Sequence, residues 1–290
     1  MLFVAVAASA DEPPTAIVAE SLFGRVNPLG LEDALYAGVQ QRLYRAGHAA
    51  LRDNFISSVA VIRASPSAVK VGPLVELQPL SLLHIRFAAE MTRWFGVFTS
   101  FQSFGSALDD DSDSTLYKLA DQHRNYAATT IHVGIAPRLQ LQLGPIVLRD
   151  ELSVDWYTAT LRPGDRVFYE TTADALVEPG GLTLTNIADL LWSWSRRRVY
   201  LGLEYVLIHP FYSDGAYRAG EPHLNLNSSQ RLLALAAWSF YHRGAGALRQ
   251  ITAVAQIGWY LQHRWRTGQD VAAGIPFLLG GLVLSMQWPH

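Results

Sequence analysis

The segment 249–265 restricts the fold more than any other part of this chain. Its odd positions, from Ile251 to Trp265, carry mainly apolar and aromatic side chains, and its even positions, from Gln250 to Arg264, carry mainly polar ones. A period of two residues indicates a β-strand whose two faces meet different surroundings. The segment is far longer than the ~5–6 residues of an ordinary globular strand. Such a strand is typical of a sheet that separates lipid from a watery interior.

Composition supports strands over membrane helices. Hydrophobic residues make up 50 % of the 290 positions, but they occur in short pieces, and the longest piece, 271–286, is interrupted by three glycines and Pro276. A transmembrane helix needs about 20 consecutive apolar residues. The net charge of −2 argues against a nucleic-acid partner, which a basic patch would indicate. Because the chain has no cysteine, disulfides and thiolate metal sites are excluded.

The first ten residues have the pattern of an export signal. They are apolar and end in Ala8-Ser9-Ala10, which matches the small-residue cleavage pattern of a secretory leader, although a basic start is missing. We therefore predict that residues 1–10 are the remnant of a signal peptide and that residues 11–290 form a single domain. The alternative is a plain apolar N-terminus.

Alternation and turn residues predict eleven strands. They are 35–44, 55–63, 69–78, 82–94, 126–135, 139–157, 182–194, 199–208, 231–241, 249–265 and 275–288. Within 139–157 the apolar phase changes at Gly144-Pro145, which we interpret as a β-bulge, with a turn near residue 137. Long polar loops are predicted at 103–125, at 162–181 with a short hairpin at Val167–Glu170, and at 213–229.

The positions of the long loops require one more strand. A closed bacterial barrel has an even number of strands, with short turns on the periplasmic side and long loops outside. Placing the three long loops on one side requires a further strand near the N-terminus, for which 17–26 is the available segment. The fold class predicted is all-β: a transmembrane antiparallel up-and-down β-barrel of 12 strands, with 10 or 14 as alternatives.

The tryptophans fall in or beside the predicted strands. Tryptophan prefers the headgroup level of a membrane, so we predict an aromatic girdle at the two membrane surfaces. Its members are Trp94, Trp156, Trp192, Trp194, Trp238, Trp259, Trp265 and Trp288. The alternative is that these residues are core aromatics of a large soluble β-protein.

With its leader, its amphipathic strands and its last strand, the chain resembles the bacterial outer-membrane β-barrel proteins. The strand 275–288 ends in Trp288, similar to the terminal aromatic of their assembly signal, although Pro289 and His290 follow it. The resemblance implies a place in the outer membrane and contact with outer-membrane lipids and lipopolysaccharide. It also implies insertion by the barrel-assembly machinery. It is architectural and matches no characterised family, named porin or phospholipase.

Catalytic and metal-binding motifs are sparse. The outer-membrane phospholipase and the lipid A deacylase carry His-x-Ser, which places base and nucleophile on one strand face, and no histidine of this chain has serine two positions later. This disfavours that mechanism and leaves open an enzyme assembled across strands. Asp109, Asp111 and Asp113 match the first half of a calcium loop, but Ser114 and Ala120 replace its glycine and glutamate. A solvated acidic loop is the alternative. No cofactor motif is present.

The polar strand face would line the interior of the barrel. The candidate lumen residues are Arg42, Lys70, Glu76, His84, Arg86, Glu90, His132, Arg149, Glu151, Asp155, Asp189, Glu204, Gln250, Gln256 and Arg264. Their charges either pair and fill the lumen or line a narrow aqueous path. We predict a narrow or partly occluded channel or transporter for small polar solutes. The alternatives are an outer-membrane lipid-modifying enzyme and a structural or adhesion barrel whose loops bind partners.

Overall fold

A computed structural model describes residues 13–194, 198–243, 247–267 and 274–288. Residues 1–10, predicted as a signal-peptide remnant, lie outside these ranges. The strands are β1 (Thr15–Val26), β2 (Gly30–Gln41), β3 (Phe55–Ser65), β4 (Ala68–Leu80), β5 (Leu83–Trp94), β6 (Ser103–Phe104), β7 (Ala128–Leu143), β8 (Ile146–Ala159), β9 (Val167–Glu170), β10 (Ala175–Val177), β11 (Leu182–Trp194), β12 (Val199–Pro210), β13 (Ser229–His242), β14 (Leu248–Gln262) and β15 (Phe277–Trp288). The helices are α1 (Ala49–Arg52), α2 (Asp113–Asp121) and a 3-10 turn at Asp214–Ala216.

All strands except β6, β9 and β10 form one closed antiparallel barrel. Neighbours in the wall follow chain order, and β1 closes the barrel by pairing with β15, with Leu22 opposite Leu282. Closure pairs every wall strand on both edges, which is what a sheet in lipid requires. The prediction of a 12-strand barrel is therefore confirmed, including a first strand at Thr15–Val26. Within the described ranges, no helix is long and apolar enough to cross a membrane.

The predicted turn near residue 137 and the bulge at Gly144-Pro145 are wrong. Pro137 lies inside β7, opposite Ile85, and the outward apolar alternation continues through it to Leu143. Gly144 and Pro145 instead form the two-residue turn between β7 and β8, with Gly144 at φ 61°. Glycine adopts this left-handed conformation without strain, as tight hairpin turns require. A two-residue turn also moves the outward side chains from odd to even positions, which explains the change of phase.

The wall strands present apolar side chains outward. In β7, for example, Leu139, Leu141 and Leu143 are exposed, while Arg138, Gln140 and Gln142 alternate with them on the inner face. An exposed apolar band of this kind is buried only when lipid surrounds the barrel. The protein is thus a bacterial outer-membrane β-barrel.

Strand β14 ends at Gln262, earlier than predicted. Beyond it the chain leaves the wall and turns over residues 264–267. Arg264 and Trp265 therefore belong to an outer loop and not to the strand in which their alternation placed them.

The long outer loops fold over the mouth of the barrel. Strands β6, β9 and β10 form a three-stranded sheet, and α2 packs with it. Their shared core contains Phe104, Leu116, Val167, Leu176 and Tyr217, all buried. Val167–Glu170, where a short hairpin was predicted, is the single strand β9, and its hairpin partner is β10.

The hairpin of β9 and β10, residues 167–177, enters the lumen, and we call it the plug hairpin. Arg25 of β1 donates a hydrogen bond to the Thr171 carbonyl, and Lys70 of β4 lies 3.4 Å from the Thr172 hydroxyl. Ala173 and Ala175 pack in one cluster with Val206, Leu233 and Phe277 of β12, β13 and β15. The plug hairpin therefore reaches across the outer end of the lumen, from β1 and β4 on one side to β12, β13 and β15 on the other.

Candidate functional site: the lumen and its plug

A cavity of about 890 Å³ lies inside the barrel on the periplasmic side of the plug hairpin. Charged side chains from β3, β4, β5, β7 and β8 line one part of it. The facing part is mainly apolar and includes Ile17 and Phe23 of β1 and Val283 of β15. The two walls differ because the inward positions of β1 and β15 carry few charged residues.

Most of the predicted lumen residues lie on the inner face. Those that line the cavity are Glu76, Arg86, Glu90, His132, Arg149 and Asp155. Those that are buried against the wall are His84, Glu151, Asp189 and Glu204. Gln256 Nε2 donates to Glu204 at 3.0 Å, and Gln250 Nε2 donates to the Ser239 hydroxyl at 2.7 Å. Lys70 lies at the outer end, against the plug hairpin.

One set of charges forms a continuous chain across four strands. Arg63 Nε lies 2.8 Å from Glu90 Oε1, and His132 Nδ1 lies 3.4 Å from Glu90 Oε2. On its other side, His132 Nε2 lies 2.7 Å from Asp155 Oδ1. Each residue comes from the next strand of the wall in the order β3, β5, β7 and β8, with only β4 passed over. The side chains therefore hold each other along the wall.

A second set continues around the barrel. Glu151 accepts hydrogen bonds from both Arg86 and Arg138, with Arg138 Nη2 at 2.6 Å. Arg149 is paired with Asp189 of β11. Because these pairs also run along the wall, they leave the cavity between them open rather than filling it.

Sequence reasoning missed Arg63 and Arg138, which both line the cavity. Arg63 was missed because the inner positions of β3 alternate poorly, with Val59 and Val61 inward alongside it. Arg138 was missed because it follows Pro137 in the supposed turn. In β7 the even positions point inward, from His132 through to Arg138, so the alternation could have identified Arg138 as a lumen residue.

Two predicted lumen residues, Arg42 and Arg264, lie beyond the ends of the wall strands and not on the inner face. Arg42 follows β2 at the periplasmic end, where its guanidinium donates to the carbonyls of Tyr44 at 3.1 Å and Arg52 at 3.2 Å. Arg264 donates to the carbonyls of Leu108 at 2.7 Å and Asp109 at 2.9 Å, in the outer loops. Both arginines organise loops because the strands end before them.

The tryptophans divide into two groups. Six point outward near the strand ends: Trp192, Trp194, Trp238 and Trp288 at the periplasmic end, and Trp156 and Trp259 at the outer end. Trp94 differs from the girdle prediction, since it is 3 % exposed, points inward and donates to the Thr130 hydroxyl at 3.1 Å. Trp265 also differs, because its Nε1 donates to Asp111 at 2.5 Å within the loops.

A buried ionic cluster, which we call the clasp, fastens the plug hairpin. It consists of Asn27, Asp113, Asp174, His263 and Arg266. Arg266 binds Asp174 through Nε at 2.5 Å and Nη2 at 2.9 Å, and Asp113 through Nη1 at 2.8 Å and Nη2 at 3.0 Å. His263 Nε2 lies 3.2 Å from Asp174 Oδ2. Burial by itself would raise the pKa of Asp174, but the hydrogen bonds from Arg266 and His263 hold it well below its usual value.

The three aspartates of the calcium hypothesis point to different partners. Asp109 binds Arg218, with Nη2 at 2.6 Å, Asp111 binds Trp265, and Asp113 binds Arg266. Burial raises the pKa of Asp111 to about 6, although the hydrogen bond from Trp265 opposes this. In the residues that the structure describes, no group of three potential ligands gathers in the way a metal ion needs.

A histidine and a serine do meet across two elements at the outer rim. His209 Nδ1 lies 2.7 Å from the Ser228 hydroxyl, and the Asn225 amide nitrogen lies 3.4 Å from Nε2. Among the described residues, the side-chain partners of the His209 ring are Ser228 and Asn225, so the carboxylate that orients the histidine of a Ser-His-Asp arrangement is missing there. The pair does not favour the enzyme hypothesis.

Comparisons with known proteins agree with the barrel architecture. The fold is similar to that of a NanC porin, with a TM-score of 0.42 and 7 % identity over 93 % of this chain and 100 % of that chain. It is also similar to a KdgM porin, with a TM-score of 0.38 and 8 % identity over 92 % and 98 %. A third similar structure is OccAB1 of Acinetobacter baumannii, with a TM-score of 0.41 and 11 % identity over 88 % of this chain and 57 % of that chain. At these values the likeness is one of fold alone.

No protein-family model matches the sequence, and no curated protein matches it. The expected resemblance to outer-membrane β-barrel proteins is confirmed at the level of architecture, by the closed wall of strands.

Proposed function

We propose that this protein is a gated channel for small polar solutes, with the lumen as the path and the plug hairpin as the gate. The observation that carries the proposal is the cavity of about 890 Å³ lined by paired charges and covered at its outer end by loops. Its volume lies within the ~300–1,000 Å³ of small-molecule sites. The solute class follows from the lining, because charged groups along one wall replace part of the hydration shell of a polar molecule.

The way in which the plug hairpin is held favours a movable element. Its tip is fixed by polar contacts, from Arg25, Lys70 and the clasp, and by the small side chains Ala173 and Ala175. Removing one partner of a buried ion pair costs roughly 3–5 kcal/mol, because the other charge stays buried and unpaired. Loss of Arg266 would therefore loosen the tip of the plug hairpin without touching the strands of the wall.

Planar-bilayer conductance of the folded protein tests this proposal. We expect low conductance from the wild type and a severalfold increase when Arg266→Gln opens the clasp or when a short Gly-Ser link replaces residues 168–176. Arg218→Gln is the matched control, since Arg218 also pairs with loop carboxylates but is half exposed, and neither Asp109 nor Glu221 belongs to the plug hairpin. A change of electrophoretic mobility on heating shows that each barrel is folded. The channel proposal is wrong if the folded replacement variant passes no current.

A further inference from the structure

Three arginines stand together at the outer end of one flank of the barrel. Arg93 is the penultimate residue of β5, Arg124 lies between α2 and β7, and Arg162 follows β8. These three strands are neighbours in the wall. Arg93 and Arg124 are exposed and Arg162 is half-buried. Arg93 Nη1 donates to Thr129 Oγ1 at 3.2 Å, and the Arg162 guanidinium lies 4.5 Å from the centre of the Tyr126 ring. Among the described residues, none of the three forms an ion pair with a carboxylate.

Other arginines on the outer side have partners within the loops. Arg218 pairs with Asp109 and Glu221, and Arg266 pairs with Asp113 and Asp174. Arg166 donates to the Gly215 carbonyl at 2.8 Å. The flank of β5, β7 and β8 is therefore distinguished by three guanidinium groups at its outer end that have no acidic partner, with Arg93 on the outward face of β5 and Arg124 exposed.

An exposed apolar surface lies directly below these arginines. Phe87 and Met91 of β5, Ile131 and Val133 of β7 and Trp156 of β8 are each between 39 % and 48 % exposed and point outward. They occupy the strand segments that lead up to the arginines.

The loop that follows β5 carries exposed apolar side chains at its tip, residues 95–98. Phe95 and Phe98 are exposed, and the Asn125 amide donates to the carbonyls of Gly96 at 2.7 Å and Phe98 at 3.0 Å. These bonds hold the tip against the segment that carries Arg124.

We propose that this flank is a binding site for a phosphorylated, multiply acylated lipid of the outer leaflet, of the lipid A type. The guanidinium groups would bind its phosphates, since arginine matches phosphate with paired hydrogen bonds. The acyl chains would lie along Phe87, Met91, Ile131 and Val133.

The width of the surface favours this lipid over a two-chain phospholipid. Neighbouring strands lie about 4.8 Å apart, so three strands offer room for several parallel chains. Three arginines also exceed what one phosphate requires. The inference depends on the outer-membrane location and is independent of the proposed channel function.

Binding of purified lipids to the full, folded protein tests the site. The probes are bisphosphorylated lipid A, the same lipid after removal of its phosphates, and phosphatidylglycerol, each measured by native mass spectrometry after exchange from detergent. The variant carries Arg93→Gln, Arg124→Gln and Arg162→Gln. The matched control carries Arg52→Gln, Arg198→Gln and Arg243→Gln, which remove equal charge from exposed positions at the periplasmic end.

We expect the wild type and the control to retain bisphosphorylated lipid A. The affinity of the variant for this lipid should be lower by at least about tenfold. Dephosphorylated lipid A should bind weakly to all three proteins. Equal binding by variant and wild type would overturn the site. Equal binding of phosphatidylglycerol and lipid A to the wild type would overturn the assignment to a multiply acylated lipid.

Discussion

Two buried carboxyl groups in the outer loops respond to pH in opposite directions. The pKa of Asp174 lies well below its usual value, so the stability that Asp174 contributes to the clasp is present above that usual value and is lost only in strong acid. Burial raises the pKa of Asp111 from 3.8 to about 6. Its contribution is fully present below 3.8 and is lost as the pH rises through about 6. Trp265 and, at 3.8 Å, the Arg264 guanidinium face it, and the charges of Asp174 and His263 in the clasp also act on its pKa.

The Asp111 carboxyl should make the plug less stable at neutral pH than at pH 5. In the wild type, hydrogen exchange of the plug hairpin, corrected for the intrinsic pH dependence of exchange, should be faster at pH 7.5 than at pH 5. Asp111→Asn should remove most of this difference, because the amide does not ionise. Asp121→Asn, at an exposed position on α2, is the control and should behave like the wild type. An unchanged pH dependence in Asp111→Asn would contradict this interpretation.

The orientation of single residues was predictable wherever strand parity was followed strictly. Trp94 lies at an even position in β5, on the face that already carried His84, Arg86 and Glu90, so its inward direction was present in the sequence. The preference of tryptophan for the headgroup level led to the opposite expectation. The partners of Asp111 and Asp174 were not predictable, because Trp265 and Arg266 lie 154 and 92 residues away in the chain.

At the level of elements, inward glycines permit close approach of neighbouring strands. A β-carbon at Gly202 of β12 would lie 2.1 Å from the Leu190 carbonyl oxygen of β11, and one at Gly258 of β14 would lie 2.0 Å from that of Leu232. Real side chains do not come so near to a backbone, so the strands would have to separate. Glycine at such positions allows a sheet to bend sharply as a barrel closes.

Gly202→Ala should therefore destabilise the barrel by about 1–3 kcal/mol, the usual range for forced overpacking. The matched control is Gly280→Ala, since a β-carbon there would meet its nearest neighbour, the Val254 carbonyl oxygen, at an ordinary 4.0 Å. Urea titration of the folded barrels in detergent, followed by electrophoretic mobility, measures the difference. Equal midpoints for the two variants would show that β11 and β12 separate without cost.

The wall strands could be predicted from the sequence and the plug hairpin could not, and both outcomes have one reason. A wall strand shows its period locally, and placing the turn between β7 and β8 near residue 137 instead of at Gly144-Pro145 left the number of strands unchanged. The loop sheet of β6, β9 and β10 consists of two to four residues per strand, too short to show a period. Its core joins Phe104, Val167 and Tyr217 from three separate loops, so no single segment carries the pattern.

Considered as a whole, the lumen carries nearly balanced charge. Around the cavity, Arg63, Arg86, Arg138 and Arg149 stand against Glu20, Glu76, Glu90 and Asp155. Paired charges of both signs produce a weak net field along the path, so an opened channel should discriminate little between small anions and cations.

Removing lumen charges of one sign should make the opened channel selective between anions and cations. In the Arg266→Gln background, the pair Glu76→Gln and Glu90→Gln should shift the reversal potential towards anions, with a severalfold change of permeability ratio at low salt. Asp121→Asn with Asp214→Asn removes equal charge from exposed loop positions outside the lumen and is the control. If both double variants shift the reversal potential equally, ions do not pass the charged wall.

The clasp has a consequence for the order in which the molecule assembles. Asn27, directly after β1, donates to the Ile275 carbonyl at 2.9 Å and accepts from Arg266 at 2.7 Å, so it joins the beginning of the chain to its end. Contacts of such long sequence separation are expected to form late, because closing so long a loop costs entropy before the contact can stabilise anything. We therefore expect the plug hairpin to settle only after the first and last strands have met. The plug hairpin would then be in place only in a barrel whose assembly is complete. A barrel whose first and last strands have not paired would keep an open lumen.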